Sequence, residues 1–269
     1  MQGQITSGFG GEEVQIKEFV SHGIPVTQVQ VETEQDMTDL NRAQGRYVTL
    51  ELGPLTRLVD FEGACACLVE QLKPMLEPCF GKPLCVCGMG NQNVPSDCLG
   101  PETARRFQPH MYSFFTEKSN FKKIAVVCPG TSALTNLATE TIISGIVSGM
   151  DAACAVVVDS SATKDAKSLC ATVHLTDSGI KSQSKTAYLC QATVGVPVIA
   201  VVVPTSLSAA APSDAGTGVE ELLLAPVQVA DTISIASFMI TCAIAQIAYP
   251  ELDYESCKQY IGLVLHGVI

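Results

Sequence analysis

Residues 83–107 read PLCVCGMGNQNVPSDCLGPETARRF, and their order decides the fold class. Pro83 to Gly88 is an uncharged apolar run, the composition of a strand buried on both faces. Gly88 and Gly90 then open a loop rich in asparagine, residue types that tolerate the backbone angles at which a strand stops. Around Ser96, Asp97 and Pro101 a helix begins and runs to about Phe107, with proline placed where a helix needs no N–H. Strand, loop and helix in this order form the repeating unit of a parallel sheet.

Working outward, the unit recurs. KKIAVVCPG (122–130) is a second apolar strand, followed by a helix from about Asn136 to Gly149. AACAVVVDSS (152–161) reads as a strand ending on Asp159, with SLCATVHLTDSG (168–179) and GVPVIAVVVPT (195–205) as further strands. Upstream, VQIKEF (14–19) and VTQVQVET (26–33), joined through HGIP, and GRYVTLEL (45–52) alternate with period two, as half-buried strands of an antiparallel flank do. Between flank and core, residues 60–77 place Phe61, Cys65, Leu68, Val69, Leu72 and Leu76 at helical spacing, with Pro74 marking a stop or a kink. From Gly218 onward the chain reads as two helices, the second apolar nearly all round, and YESCKQYIGLVLHG (254–267) as a short amphipathic one.

The expected architecture is an α/β fold of phosphorylase/hydrolase-like type: a mostly parallel central sheet with helices on both faces and a small antiparallel N-terminal flank. It forms one domain over residues 1–269, with residues 1–11 mobile and the helices of 218–269 packed on the core. A chain of 269 residues that is 47% hydrophobic can bury a sizeable core, and its few aromatics and lack of tryptophan suit Val, Ala, Ile and Leu packed in strands.

The net charge of -11 argues against a direct nucleic-acid binder, which needs clustered Lys and Arg. The N-terminal residues contain neither a basic stretch nor an apolar one of signal-peptide type, so a cytoplasmic location is expected. No uninterrupted apolar run approaches the roughly 18 residues of a membrane span, and no membrane anchor is expected. Of the 12 cysteines, Cys85, Cys87, Cys128, Cys154 and Cys170 sit in apolar runs, where reduced thiols serve as small hydrophobes. The C-x-C pairs Cys65/Cys67 and Cys85/Cys87 lack the spacing of a zinc site, so neither a metal nor another cofactor is expected. The GMGN loop lacks the third glycine of a dinucleotide fingerprint and the lysine of a phosphate-binding loop.

In open α/β sheets, sites lie beyond the carboxyl ends of the strands. The residues there are Asn91, Asn93 and Asp97; Pro129 and Gly130; Asp159; and Asp177 and Gly179. Two carboxylates at neighbouring strand ends can share a water, one ionised as base while its partner, raised by burial and by that charge, stays protonated as acid. Asp97 and Asp159 are by position candidates for such a catalytic pair, or else a helix cap and a turn former, with Asn91, Asn93 and Gly130 beside them as oxyanion or supporting groups. Asp177 is either a third polar member or a turn former. His22, His110, His174 and His266 fall in unrelated contexts, with His174 read as a packed strand histidine and Cys98 as a packing residue.

These stretches resemble the spore germination endopeptidases, an atypical aspartic-type family that degrades small acid-soluble spore proteins. The likeness runs through GRYVTLE (45–51), GMGNQNVPSDCLGP (88–101), CPG (128–130), VVVDSSA around Asp159, ATVHLTDSGI (171–180) and GVPVIAVVVPT (195–205), with a weaker echo in LLLAPVQVADTISI (222–235). Asp97 and Asp159 match the family's two essential aspartates. The resemblance implies a cytoplasmic enzyme of the spore core, made as a zymogen and assembled as a homotetramer.

KSQSKTAYL (181–189) and SSATKDAKS (160–168) depart from the family pattern, and this chain is a shortened or divergent member. Two other readings stand beside the protease. One is an inactive paralogue that binds or regulates; the other is a metal-dependent peptidase of hydrogenase-maturation type, in which Asp97, Asp159 and a third ligand hold a divalent ion.

Overall fold

The computed structural model describes residues 3–4, 14–107, 118–181, 188–210 and 221–262. Its strands are β1 (Gly3–Gln4), β2 (Gln15–Ser21), β3 (Ile24–Val31), β4 (Gly45–Glu51), β5 (Pro83–Gly88), β6 (Lys123–Val127), β7 (Cys154–Thr163), β8 (Thr172–Thr176), β9 (Ile180–Lys181), β10 (Tyr188–Leu189), β11 (Val198–Ala210) and β12 (Glu221–Leu224). Its helices are α1 (Glu34–Leu40), α2 (Phe61–Leu76), α3 (Leu99–Arg106), α4 (Ser132–Thr135), α5 (Thr139–Met150), α6 (Gln191–Val194), α7 (Val229–Ala248) and α8 (Tyr254–Ile261).

One mixed sheet runs in the order β1-β2-β3-β4-β8-β11-β7-β5-β6, with β12 beside β11. The central strands β11, β7, β5 and β6 are parallel. The flank β1 to β4 is antiparallel, as its period-two pattern requires. Alternate residues of the parallel strands feed two cores. Leu84, Val86, Val156, Val158, Ile199 and Val201 pack with α2, α3, α7 and α8, whereas Cys85, Cys87, Ala155 and Val157 pack with Ile143 and Val147 of α5. Helices therefore cover both faces, which is why these strands read as unbroken apolar runs.

Several expectations need correction. Strand β7 does not end on Asp159 but continues to Thr163, because β11 extends equally far and offers it a partner. Strand β8 is antiparallel to both neighbours, β4 and β11. Residues 164–171 between β7 and β8 are too few for a parallel crossover, which takes a dozen or more, so the chain can only turn back. The first of the two helices read after Gly218 is instead strand β12: Pro226 cuts the leucine run short, and β11 beyond β8 leaves an edge to pair with.

At the chain start, Gly3–Gln4 pairs with Lys17 and Glu18; the rest of residues 1–11 lies outside the described residues. So do His110, His266 and residues 263–267 of the C-terminal helix reading. Helix α2 runs through Pro74 to Leu76. Cys128 is exposed, because it follows the last residue of the edge strand β6, whereas Cys85, Cys87, Cys154 and Cys170 are buried as expected. Helix α7 is a longer apolar element than the sequence reading recognised: it spans 20 residues with a mean hydropathy of 1.5, enough to cross a membrane. In this fold 78% of that window is buried, as in a core helix packed on all sides.

Candidate active site

The loop after β5 is built on close backbone approach. Met89 N–H continues the β5–β7 pairing by donating to Val158 O at 2.8 Å. Gly100, in the first turn of α3, lies so near that a Cβ there would strike the Met89 main chain and Val158 O. Only glycine lets α3 rest directly on the ends of β5 and β7. Gly90, at φ +114, closes the turn against Asp97 O in a region that side chains rarely enter.

Within the turn, Asn91 N–H donates to both Asp97 Oδ2 (2.9 Å) and Asp97 O (3.0 Å), and Asp97 N–H donates to Val94 O at 2.8 Å. Asn91 Oδ1 accepts from Asn93 N–H at 3.0 Å, so the asparagines shape the loop from within. Thr205, buried at the point where β11 slips register against β7, donates its hydroxyl to Ser96 O at 2.6 Å. Sequence reasoning missed this tie, since a threonine that follows a strand proline carries no local signal.

Asp159 arrives from β7, level with Val202 of β11 and only 5% exposed. Its Oδ1 accepts the N–H of Ser160 at 2.8 Å. Burial, and then the charge of Asp97, push its carboxyl up to about 8, partly opposed by that N–H. The carboxyl of half-buried Asp97 is also raised, by burial, against the pull of the Asn91 N–H. Asp159 therefore ionises beside the charge of Asp97.

The other expected residues separate. Asp177 lies at the opposite end of the sheet: Thr176 is level with Ala200 and hence with Val157, and the reversed β8 carries the chain on toward the amino ends of the parallel strands. Its carboxylate accepts from Arg46 N–H at 2.7 Å, so Asp177 is a turn residue and not a third member of the pair. Gly130, at φ +74, follows β6, which β5 separates from β7. Asn93 is exposed on the loop.

His174 is packed as expected. Thr172 Oγ1 donates to Ser168 O, so it accepts from His174 Nε2–H at 3.0 Å, and Nδ1 receives the Thr49 hydroxyl at 3.0 Å. Burial pushes its pKa down to about 4, with the Arg42 charge adding to the effect. The Cys98 thiol, raised by burial, donates to Pro95 O at 3.2 Å and is no thiolate nucleophile.

Two hollows flank the loop. One of about 690 Å³ lies between α3 and β6, lined by Cys98, Pro101, Glu102, Val126 and Cys128. The second, of about 400 Å³, is lined by Asn93, Pro95, Cys98, Glu102 and Ser234. Both reach Cys98, the neighbour of Asp97. Among the described residues no group of three or more His, Cys, Asp or Glu side chains is arranged to hold a metal ion.

A mixed α/β sheet with two carboxylates at the carboxyl end of β5, Asp97 in the loop that follows it and Asp159 on the adjoining β7, is an arrangement able to activate water for hydrolysis. The family model for the germination protease matches residues 5–218, and the chain belongs to that family. It is similar to the germination proteases of Clostridium tetani (27% identical, covering 73% of this chain and 64% of that one), Priestia megaterium (29%; 72% and 56%) and Oceanobacillus iheyensis (30%; 73% and 57%). It thus spans roughly three fifths of the length of these relatives. Among solved structures, a [NiFe] hydrogenase maturation protease HycI from Thermococcus kodakarensis matches with a TM-score of 0.40 and 13% identity, over 66% of this chain and 97% of that one.

Proposed function

We propose that this chain is an endopeptidase that hydrolyses small acid-soluble spore proteins during germination, with Asp97 as general base and Asp159 as general acid on one water. The supporting observation is the asymmetry of the pair: Asp159 is buried and holds its proton up to about 8, while Asp97 is the half-buried partner whose charge helps hold it there. Asp97 removes a proton from the water as its oxygen attacks the peptide carbonyl, and Asp159 gives its proton to the carbonyl oxygen. Collapse of the tetrahedral intermediate returns a proton to Asp159, and Asp97 passes its proton to the departing nitrogen. Asn91, in the loop beside the pair, is the oxyanion contact in this reading. Zymogen trimming and a tetrameric assembly in the spore core belong to the same proposal.

Incubating a purified small acid-soluble spore protein with the wild type, Asp97→Asn, Asp159→Asn and Asp177→Asn, with and without chelator, tests it. Site-specific cutting is expected from the wild type and Asp177→Asn, slowed about 10²–10⁴-fold in the other two and indifferent to chelator. Chelator-sensitive turnover would instead support a metal-dependent peptidase. Intact substrate with folded wild type would point to a binding or regulatory paralogue.

A further inference from the structure

Strand β6 ends the sheet beside β5, whose loop carries Asp97. It pairs with β5 over Lys123–Val127, and among the described residues no strand lies on its other side. Met89 N–H turns to Val158 O of β7, so strand alternation turns the main-chain groups of Leu84 and Val86 the other way, to β6. In a parallel pair the residue opposite a bonding one faces away, and Ile124 and Val126 lie opposite Leu84 and Val86. Their N–H and C=O groups therefore line the outer edge. Both residues are only partly buried, and among the described residues neither main chain has a partner on that side. The same two residues, with Val127 and Cys128, wall the hollow of about 690 Å³ that α3 borders with Pro101 and Ala104 and that reaches Cys98, next to Asp97.

An open strand edge captures extended polypeptide by main-chain hydrogen bonds, and an apolar hollow beside it takes every second side chain. We propose that the outer edge of β6 seats an extended segment of the substrate protein as an added strand, bonded to Ile124 and Val126, with alternate side chains turned into the hollow between β6 and α3. This rests on the peptidase reading, and the continuity of the hollow with the Asp97 loop selects a substrate chain as occupant. An added strand would lie three strand spacings from β7, about 14 Å, which an extended chain spans in roughly four residues. The segment held at β6 is therefore remote from the bond being cut. It must be locally unfolded, free of proline at the bonding positions and apolar at every second position on the α3 side.

The test uses the full chain carrying Asp97→Asn and peptides tiled along a purified small acid-soluble spore protein, with affinities read by fluorescence anisotropy. Val126→Pro removes an outward N–H without touching the β5 ladder, and should weaken the tightest-binding peptide about tenfold, the loss of one or two main-chain hydrogen bonds. Val126→Ala, which keeps the N–H, should stay within about twofold. In the active chain Val126→Pro should raise KM for the whole protein with kcat unchanged, yet leave untouched the cutting of a peptide trimmed to the residues around its scissile bond. A general structural defect would slow both. A folded Val126→Pro with unchanged affinity, or a folded chain that binds none of the peptides, overturns the β6 docking edge. Should Val126→Pro fail to fold, a benzophenone carried on the peptide decides: crosslinks to residues 124–128 or to α3 support the edge, and crosslinks confined elsewhere overturn it. Binding that depends on Val126 N–H without any cleavage by the active chain would keep the edge and discard the peptidase reading. Cleavage that Val126→Pro leaves unchanged would do the reverse.

Discussion

At neutral pH Asp159 holds its proton because burial, seconded by the charge of Asp97, makes its ionisation costly, and this couples fold stability to pH. Unfolded, Asp159 would titrate near the ordinary aspartate value of 3.8; folded, it titrates at about 8. Between these values the folded chain binds a proton that the unfolded chain has lost, so stability declines as pH rises through the window and levels off above it. Melting curves from pH 4 to 8 should show this fall in the wild type, and Asp159→Asn should abolish the share that this carboxyl contributes. The same proton gives the proposed hydrolysis an alkaline limb near pH 8, measurable as a pH–rate profile.

His174 has the opposite slope. With its folded pKa lowered to about 4 from 6.5, its contribution is complete above 6.5 and is lost as pH falls toward 4. Nitrogen NMR should find it neutral, protonated at Nε2, throughout the physiological range; a histidine titrating near 6.5 would refute the packing described.

Among the elements, the junction of β5, β7 and α3 positions Asp97, and its tolerance is set by backbone contact. Gly100→Ala would drive a methyl group into Met89 and Val158 main-chain atoms that cannot move without breaking the sheet. Urea unfolding should show a loss of about 1–3 kcal/mol or more, the usual cost of overpacking. Proposed activity should fall further than stability, because Asp97 shifts with the helix. A variant as stable and active as the wild type would mean that α3 has more room than this geometry allows.

For the whole molecule, the family match ends at residue 218, whereas α7, whose side chains are buried along almost its full length, shares one core with α2, α3 and one face of the sheet. Deleting residues 219–269 would remove the α7 and α8 side chains from the core that also holds Val156, Val158, Ile199 and Val201. The truncated chain should therefore lose cooperative unfolding and become open to limited proteolysis, even though it retains the whole matched region. A sharp melting transition from that fragment would show that the matched region folds alone.

The sequence by itself determined strands β2 to β4 of the antiparallel flank and the α/β class, and it marked Asp97 and Asp159 as candidates. Period-two alternation, unbroken Val, Ile and Ala runs and a Gly–Asn loop before a helix are local patterns, enforced by the pleat and by burial on two faces. The family likeness pointed to the same aspartates. Tertiary structure alone decided what depends on a partner distant in the chain. The direction of β8 follows from a link too short for a crossover, and it carried Asp177 away from the pair. The conversion of the Glu221–Leu224 run from helix to strand needed the edge of β11. The raised carboxyl of Asp159 needed desolvation by packed neighbours and the charge of Asp97 from another element. Propensity is a property of neighbouring residues, whereas edges, burial and electrostatic coupling exist only once the chain has closed on itself.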